Sequence, residues 1–357
     1  MNHTRPFALA AFLLAAAGPS LAQPAIEVTR VPEWGTAGPL EGRVDGVEPA
    51  EAAVATFINA DGAWWMKPTR AAPLMPLRPD GTFSVNIVTG GVDRLATHVT
   101  LLLMPRGAEV PDVLGDPELP QELLDAALAR LDIDRSPRAL EFSGQTWLVK
   151  PAELVEWGPG PNWFSDDDAS VWVDEAGLHL TIREEDGRWL CSEVICQEPL
   201  GLGTYRFVTE SVADDLPLNA IAGIFTWDDY APDQHFREID IELGRWGEPN
   251  GDFAQYVVQP WDRPGNRHRF SYEVPELVSH MIEWTSGAII WRTWRGDAPS
   301  PTPEPLLHEW AYSGDDLPAE PGRAQLRMNL WLIDGEPPAS GRGVEMVVRE
   351  FDFQPLP

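Results

Sequence analysis

The chain has 357 residues, which exceeds the size at which a single hydrophobic core usually stops growing, so we expect two domains. Its 56 acidic residues against 26 lysines and arginines give a formal net charge of −30. Such a surface repels nucleic acids and anionic lipids, so the sequence predicts neither a nucleic-acid partner nor a membrane partner.

The first 22 residues are typical of a secretory signal peptide. Arg5 precedes the apolar run FALAAFLLAAAG, and residues 20–22 (SLA) supply the small residues that a signal peptidase reads before Gln23. The apolar run is shorter than the roughly 20 residues that span a membrane. We therefore expect a secreted or periplasmic protein, monomeric after removal of residues 1–22.

Residues 23–138 are predicted to form a small, immunoglobulin-like β-sandwich with a helix at its end. The segments AVATFINADG, TFSVNIVTGG and THVTLLLMP are apolar or alternating, and turn residues separate them, as in strands. The segment LPQELLDAALARL, residues 119–131, places five apolar residues on one helical face. Trp64 and Trp65 are candidates either for glycan binding or for a contact between the domains.

Residues 139–357 are predicted to form a second domain that is entirely β. Short apolar segments are separated by the turn signals GPGPN, DEAG, EEDGR and LGLG, a pattern typical of a sandwich of antiparallel sheets. Thirteen of the 16 tryptophans lie between Trp147 and Trp331. Aromatic side chains pack well in sheets, and a flat aromatic face also holds sugar rings, so we expect both uses here.

The two cysteines, Cys191 and Cys196, lie in the segment WLCSEVICQ. A continuous strand would hold their α-carbons roughly 16 Å apart, beyond the reach of a disulfide. A bridge would require a turn between them, and the intervening SEVI is not typical of one. Without further His or Cys ligands, the two thiols also do not indicate a zinc site.

The segment HFREIDIELGRWG, residues 235–247, alternates three acids with three aliphatic residues. In a strand, Glu238, Asp240 and Glu242 would share one face, while the aliphatic residues would face a core. Three neighbouring like charges are unfavourable, so the pattern predicts a chemical use. Glycoside hydrolysis provides one, with carboxyl groups about 5–5.5 Å apart in retaining enzymes and about 6.5–9.5 Å apart in inverting ones. Spacing alone leaves both mechanisms open.

A metal site is the other chemical use for these acids, because calcium accepts clustered carboxylates. Calcium loops usually offer backbone carbonyls at a turn, whereas the carbonyls of a strand are used by its neighbours. We therefore expect no metal at these acids and no cofactor, and a structural calcium elsewhere stays open.

The motif EIDIE resembles the active-site strand of family-16 glycoside hydrolases, which include lichenases, laminarinases and xyloglucan-active enzymes. Other segments resemble that family in the same order: FSGQTWLVK, GPGPNWFSD, VWVDEAGLHLTI, LGLGTYRF, GIFTWDD, HMIEWTSGAIIW and RMNLWLIDG. Leu202 stands where that family more often has an aromatic residue. The resemblance covers residues 140–357 and implies a concanavalin-like, two-sheet antiparallel jelly roll with the glycan on a concave face. Residues 23–138 resemble the accessory domains that precede such catalytic domains.

The resemblance also implies roles for individual residues. Glu238 would be the nucleophile, Asp240 its assisting acid, and Glu242 the general acid/base of a retaining, double-displacement mechanism. The candidates for substrate binding are Trp227, Arg245, Trp246, Asn329 and Trp331. The implied substrate is a β-linked polysaccharide, such as a β-glucan, cleaved within the chain.

Two other functions stay open. A non-catalytic carbohydrate-binding protein could use the same fold and the same acids for recognition, and a transglycosylase could transfer the sugar to another sugar instead of water. We interpret His280 as a structural residue rather than a catalytic one. The sequence does not identify the polysaccharide, because subsite contacts lie in loops that the fold does not specify.

Overall fold

The structure, a computed structural model, describes residues 23–210, 216–301 and 306–356. The predicted signal peptide, residues 1–22, lies outside the described residues. Within the described ranges, no helix combines the length and the apolar character needed to cross a membrane.

The N-terminal region, residues 23–138, is fully described and consists mainly of strands. Its elements are β1 (Ala25–Arg30), β2 (Pro39–Asp45), β3 (Ala52–Ala60), β4 (Ala63–Lys67), β5 (Leu74–Pro76), β6 (Thr82–Asn86), β7 (His98–Pro105), β8 (Leu114–Asp116), helix α1 (Gln121–Asp125) and β9 (Ala129–Asp134), with single 3-10 turns at Pro49–Glu51 and Asp93–Leu95.

These strands form two sheets. One has the order β1-β2-β6, and the other has the order β8-β4-β3-β7-β9 with β5 also paired to β3. Leu40 and Phe83 from the first sheet pack against Val54 and Leu101 from the second in one buried cluster. Apolar residues alternate with polar ones in β2 and β6, whereas β3 and β7 are buried on both faces, with Phe57 and Leu102 in a second cluster.

The predicted helix over residues 119–131 is wrong in its extent. Helix α1 has five residues and ends at Asp125, and the chain then forms β9, which pairs antiparallel with β7. In β9 the apolar Ala129, Leu131 and Ile133 pack on the core and alternate with exposed charged residues. This period of two matches a strand at the edge of the sheet, and pairing with β7 outweighs the local helix propensity.

The C-terminal region, described over residues 139–210, 216–301 and 306–356, is also built from strands. Its described strands are β10 (Ala139–Phe142), β11 (Gln145–Val149), β12 (Ala152–Trp157), β13 (Asn162–Phe164), β14 (Val171–Val173), β15 (Leu178–Glu185), β16 (Arg188–Cys196), β17 (Gly203–Glu210), β18 (Ala220–Trp227), β19 (Ile239–Leu243), β20 (Ala254–Val258), β21 (Arg267–Phe270), β22 (Leu277–Trp284), β23 (Ile289–Arg295), β24 (Leu306–Tyr312), β25 (Gln325–Leu332) and β26 (Val344–Pro355), with 3-10 segments at Pro232–Arg237 and Ile333–Gly335.

Two antiparallel sheets dominate this region. The first has the order β10-β11-β16-β25-β18-β19-β20-β21, and the second has the order β14-β15-β26-β17-β22-β23-β24. Fully buried aromatic side chains from both sheets, among them Trp147 and Tyr256 from the first and Trp284 and Trp291 from the second, form one core. The predicted all-β, two-sheet jelly-roll sandwich is therefore confirmed.

Cys191 and Cys196 both lie in β16, and both are buried and free. The strand is continuous between them, and no turn brings the two sulfur atoms together. Burial raises the pKa of both thiols, which makes them unreactive core residues.

The two regions meet through polar contacts, and within the described residues no strand of one region pairs with a strand of the other. The Glu33 carboxylate accepts hydrogen bonds from the backbone N–H groups of Glu153 (2.9 Å) and Leu154 (2.8 Å). At a second place, Arg323 donates two hydrogen bonds of 2.7 Å to the carboxylate of Asp61.

Candidate active site

The three acids project from the middle of the first sheet of the C-terminal region. Asp240 and Glu242 lie in β19, and Glu238 immediately precedes it in extended conformation. The alternate residues Ile239, Ile241 and Leu243 are buried in the core between the sheets. The predicted face of acids therefore exists, and it points away from the core.

Strand register sets the neighbours of these acids. Two rows of paired residues cross the sheet two residues apart, so both rows face the same side. The row through Glu242 runs Arg269, Gln255, Glu242, Gly223, Asn329, Glu193, and the row through Asp240 runs Arg267, Val257, Asp240, Phe225, Arg327, Ile195. Most of the charged and amide side chains of the site thus come from five strands: the consecutive β19, β20 and β21, and the more distant β16 and β25.

Gly223 leaves a gap between two functional side chains. A β-carbon at this position would lie 2.6 Å from Oδ1 of Asn329, so only glycine allows the Asn329 amide to lie over the strand next to Glu242. The Asn329 Nδ2 donates to Glu193 at 3.5 Å, and its buried Oδ1 has no hydrogen-bond partner. A buried hydrogen-bond acceptor is therefore left unsatisfied beside Glu242.

The rows form the floor of a cleft of about 590 Å³. The tryptophans that line it are Trp34, Trp157, Trp227, Trp246, Trp261 and Trp331. Trp261 is 54 % exposed, and the guanidinium of Arg267 lies 4.9 Å from its ring centre. Aromatic faces and a few polar groups in one concave site are typical of binding sites for sugars and other small ligands.

Removal from water dominates the electrostatics of the three acids. It raises the pKa of Glu238 to about 8, and it raises the pKa of Asp240 well above its ordinary value and that of Glu242 as well. Glu238 and Asp240 share a hydrogen bond that lowers the pKa of Glu238 and raises that of Asp240. Asp240 therefore holds its proton more tightly than Glu238 does, and of the two carboxyl groups Glu238 is the one that ionises first.

Glu242 has different neighbours. Gln255 donates a hydrogen bond to it, and Arg269 and Arg267 attract its negative charge, so all three oppose the pKa rise that burial causes. Gln259 donates to Asp240 at 3.4 Å. The cleft thus holds two carboxyl groups with distinct environments, separated by a third carboxyl that carries a proton.

A second group of acids in the cleft is paired with cations. Glu193, with its side chain 1 % exposed, accepts hydrogen bonds from Lys150 (3.1 Å) and Arg327 (3.4 Å). Arg327 also donates to Asp229 at 2.6 Å, and Asp229 pairs with Arg94 from the N-terminal region. Burial raises the pKa of Asp229, but Arg327, Arg94 and the Trp227 indole outweigh it and lower that pKa overall.

The chain enters β19 through an unusual turn. His235, Phe236 and Arg237 all have φ between 49° and 57°, the left-handed region that costs a non-glycine residue roughly 1 kcal/mol or more. The Phe236 ring stacks on Trp227 with centroids 4.0 Å apart, and Arg237 pairs with the buried Asp228. These contacts hold the turn and orient Glu238.

The structure brings most of the predicted site residues together. Trp227, Trp246, Trp331 and Asn329 line the same cleft as the three acids. One face of Trp227 is covered by Phe236, and the guanidinium of Arg269 lies 4.4 Å from the Trp246 ring centre, so both tryptophans offer only part of their surface.

Arg245 is not brought to the cleft. Its guanidinium donates to the carbonyl of Gly251 at 3.4 Å and lies over the ring of Phe253. Counted along the strand, Arg245 falls on the face of Ile239, Ile241 and Leu243, away from the acids, and it lies next to the core residue Phe253. The predicted polar contact from Arg245 is therefore not supported by its position.

Sequence reasoning missed the cationic side chains of the site and the contribution of the N-terminal region. The missed lining residues include Trp34, Arg94, Lys150, Glu193, Gln255, Gln259, Arg267, Arg269 and Arg327. A lone acid inside the apolar run CSEVIC was a signal for Glu193, because a buried carboxylate requires a partner. Trp64 packs instead on a core of its own region, and Trp65 does not line the cleft.

Two further groups lie apart from this cleft. The carboxylates of Glu153, Asp166 and Asp167 come within 4.8 Å of one another, a cluster without an unpartnered buried side chain that would indicate a metal. His280 lies in β22 of the other sheet, where its Nδ1 contacts Thr293 at 3.0 Å and burial lowers its pKa to about 4.

No protein-family model and no curated protein matches the chain. Among solved structures, it is similar to a Bacillus licheniformis β-glucanase (15 % identity, 62 % of this chain and 97 % of that chain, TM-score 0.45). It is also similar to a family-16 glycosyl hydrolase from Mycobacterium smegmatis (15 %, 57 % and 89 %, 0.41). A third is described as an immunostimulatory antigen and pseudo β-1,3-glucanase of Mycobacterium tuberculosis (18 %, 57 % and 88 %, 0.42).

Proposed function

We propose that the C-terminal region is an endo-acting, retaining glycosidase that cleaves a β-linked polysaccharide such as a β-glucan. One observation carries the proposal: Glu238, Asp240 and Glu242 meet on the floor of a cleft lined by tryptophans. Burying neighbouring acids raises their pKa values at the expense of stability. Glycoside hydrolysis requires one charged and one protonated carboxyl group, and a raised pKa keeps one of them protonated.

The environments of the acids support distinct roles. The hydrogen bond from Asp240 and the positive charge of Arg327 oppose the burial that raises the pKa of Glu238 to about 8, which supports Glu238 as the carboxyl group that ionises to become the nucleophile. It would attack the anomeric carbon while Glu242 donates its proton to the departing glycosidic oxygen. Water would then lose a proton to Glu242 and displace Glu238 from the sugar, which restores both groups and retains the anomeric configuration.

The remaining cleft residues support recognition of sugars. The exposed Trp261 and the half-buried Trp331 offer aromatic faces, and Asn329 contributes a polar group to the cleft lining. We also propose that the protein acts outside the cytoplasm as a monomer, in keeping with the signal-peptide pattern of residues 1–22.

A polysaccharide screen tests this function. Purified protein is incubated with mixed-linkage β-glucan, laminarin, xyloglucan and galactan, and released reducing ends and product sizes are measured. We expect internal cleavage of one of them, reduced about 10²–10⁴-fold or more by Glu238→Gln and by Glu242→Gln. The control is Glu210→Gln, which removes an acid paired with Arg349 far from the cleft lining.

Azide separates the roles of the two acids. With Glu238→Ala, azide should replace the nucleophile and give a glycosyl azide of inverted configuration. With Glu242→Ala, azide should attack the glycosyl-enzyme and give the retained configuration. Turnover that survives both glutamine variants would overturn the proposal, and glycan binding without any turnover would identify a carbohydrate-binding protein instead.

A further inference from the structure

The N-terminal region reaches into the cleft. Four of its residues line the cavity that contains the three acids: Trp34, Gly35, Arg94 and Leu95. We refer to these four residues as the N-terminal lip. They come from two loops separated by about 60 residues of chain, so their meeting at the cleft is a property of the fold and not of local sequence.

Hydrogen bonds within the N-terminal region hold the residues of the lip together. The Trp34 indole donates to the carbonyl of Leu95 at 3.0 Å, and the N–H of Gly35 donates to the carbonyl of Arg94 at 2.9 Å. Behind the lip, the buried Arg135 donates to the carbonyls of residues 32, 33 and 96, each at 2.9 Å. The guanidinium of Arg135 therefore binds both loops that form the lip.

The lip and the residue next to it also contact the C-terminal region at two places. Glu33, next to Trp34, accepts the two backbone hydrogen bonds from β12, and the cleft-lining Trp157 ends that strand. Arg94 pairs with Asp229, whose side chain is 4 % exposed. A charge pair buried to this degree stabilises one relative placement of its partners, because separating them leaves a carboxylate in a poorly solvated site.

The pairing of Asp229 connects the lip to the three acids. The same carboxylate accepts hydrogen bonds from Arg327 at 2.6 Å and from the Trp227 indole at 2.9 Å. The positive charge of Arg327 in turn favours the ionised form of Glu238. Arg94 therefore neutralises part of the negative charge of Asp229 and influences how strongly Asp229 binds Arg327.

The charges next to the lip indicate which class of ligand this side of the cleft binds. Arg94, Arg327 and Lys150 are each paired with Asp229 or Glu193, so neither sign of charge is left free for a ligand. The apolar surfaces that remain are a small part of Trp34, which is 8 % exposed, and the partly buried Trp157. Such a surface suits the apolar face of an uncharged pyranose ring.

We propose that the N-terminal lip completes a binding subsite for a neutral sugar residue, and that Arg94 is a positioning residue that acts through Asp229 and Arg327. The proposal rests on the proposed function and deepens it: the N-terminal region is part of the substrate-binding site rather than an independent module. A glycan in the cleft contacts both regions of the chain.

The test compares two ion pairs that join the regions, one at the cleft and one away from it. Arg94→Ala removes the cleft pair, and Asp61→Ala removes the exposed pair with Arg323, which does not line the cleft. The full chain is used throughout, with the glycan from the screen that wild type cleaves best and its oligosaccharides of three to seven sugar residues. Arg94→Lys and Trp34→Phe accompany them, and melting temperatures identify any variant that does not fold.

We expect Arg94→Ala to lower kcat/KM about tenfold, with part of the loss in kcat, because Arg327 is no longer held in one position. Arg94→Lys should restore part of it. Trp34→Phe should act on KM, with a different dependence on oligosaccharide length from wild type. Asp61→Ala should leave both constants unchanged, at a somewhat lower melting temperature because alanine adopts the φ of 57° at this position less readily than aspartate.

The outcomes distinguish this inference from the proposed function. If wild type cleaves a glycan and Arg94→Ala and Trp34→Phe behave as Asp61→Ala does, the inference is wrong and the proposed function stands. If wild type binds a glycan without cleaving it, the proposed function is wrong, and the affinities of the same variants decide the inference. If wild type neither cleaves nor binds any of the four polysaccharides, both are wrong.

Discussion

Two groups of buried acids lie in one cleft and have opposite electrostatics. Glu193 and Asp229 are each in contact with cations, and the pKa of Asp229 is lowered. Glu238 and Asp240 are in contact mainly with each other, and their pKa values are raised. The first group fixes the positions of cationic side chains and contributes to stability, whereas the second retains protons that chemistry can use at the expense of stability.

Removing a paired acid should have the largest effect on stability. Glu193→Gln leaves Lys150 without its buried partner and Arg327 with Asp229 alone, and we expect a loss of about 3–5 kcal/mol in the free energy of unfolding. Urea denaturation at pH 7 measures it. Glu210→Gln, in a half-exposed pair with Arg349, should cost only about 0–1 kcal/mol. Equal effects in the two variants would contradict the distinction between paired and unpaired acids.

Removing an unpaired acid should instead increase the free energy of unfolding. Asp240→Asn keeps the shape and a hydrogen-bond donor toward Glu238 but eliminates a buried ionisable group, and we expect a gain of about 1–2 kcal/mol at pH 8 together with lower activity. The pH dependence follows from linkage. The folded chain holds these protons more tightly than the unfolded chain, so stability falls as pH rises from about 4.5 toward about 8 for Glu238.

The slope of stability against pH checks this prediction. Denaturation at several pH values between 5 and 8 should show a steeper decline for wild type than for Asp240→Asn. The matched control is Asp168→Asn, because that side chain is 91 % exposed and its removal should leave the slope unchanged. A wild-type protein whose stability rises across this range would contradict the raised pKa values of the three acids.

The smallest effect concerns Glu242 alone. Gln255→Met removes the amide that donates to Glu242 while keeping similar volume, so the pKa of Glu242 should rise further. If Glu242 is the general acid, the alkaline limb of kcat/KM should move up by about 0.5–1 pH unit, because the protonated form persists to higher pH. Gln325→Met, which removes an amide bonded to the carbonyls of Cys196 and Gln197, should leave the limb in place.

Local sequence pattern predicted the parts of the site that lie on one strand. The period of two in EIDIEL placed Asp240 and Glu242 on one face and Ile239 and Ile241 in the core, as the structure shows. The same rule places Arg245 on the face of Ile239 and Ile241, in agreement with its contact with Phe253. The expectation that Arg245 binds substrate came from the family resemblance. In ARLDID the period of two was also present, but the longer helical pattern around it obscured the strand.

The remainder of the site depends on long-range register that no local pattern contains. Glu193 and Arg327 become partners only because β16 pairs with β25, and Arg327 approaches the acids only because β25 pairs with β18. Arg94 requires, in addition, the placement of one region on the other. Asn329 was found through the family resemblance of RMNLWLIDG, since its position over Gly223 has no signature in its own strand.

The left-handed turn before β19 has a consequence for how the length of this segment can vary. Because faces alternate along a strand, an insertion or deletion of one residue after the turn would move the three acids into the apolar core and bring Ile239, Ile241 and Leu243 to the cleft. The Phe236–Trp227 stack and the Arg237–Asp228 pair hold the turn in place, so the strand could not shift to compensate. We therefore expect the number of residues from Phe236 to Leu243 to be the same in any functional variant, whereas residues can be added before Pro232.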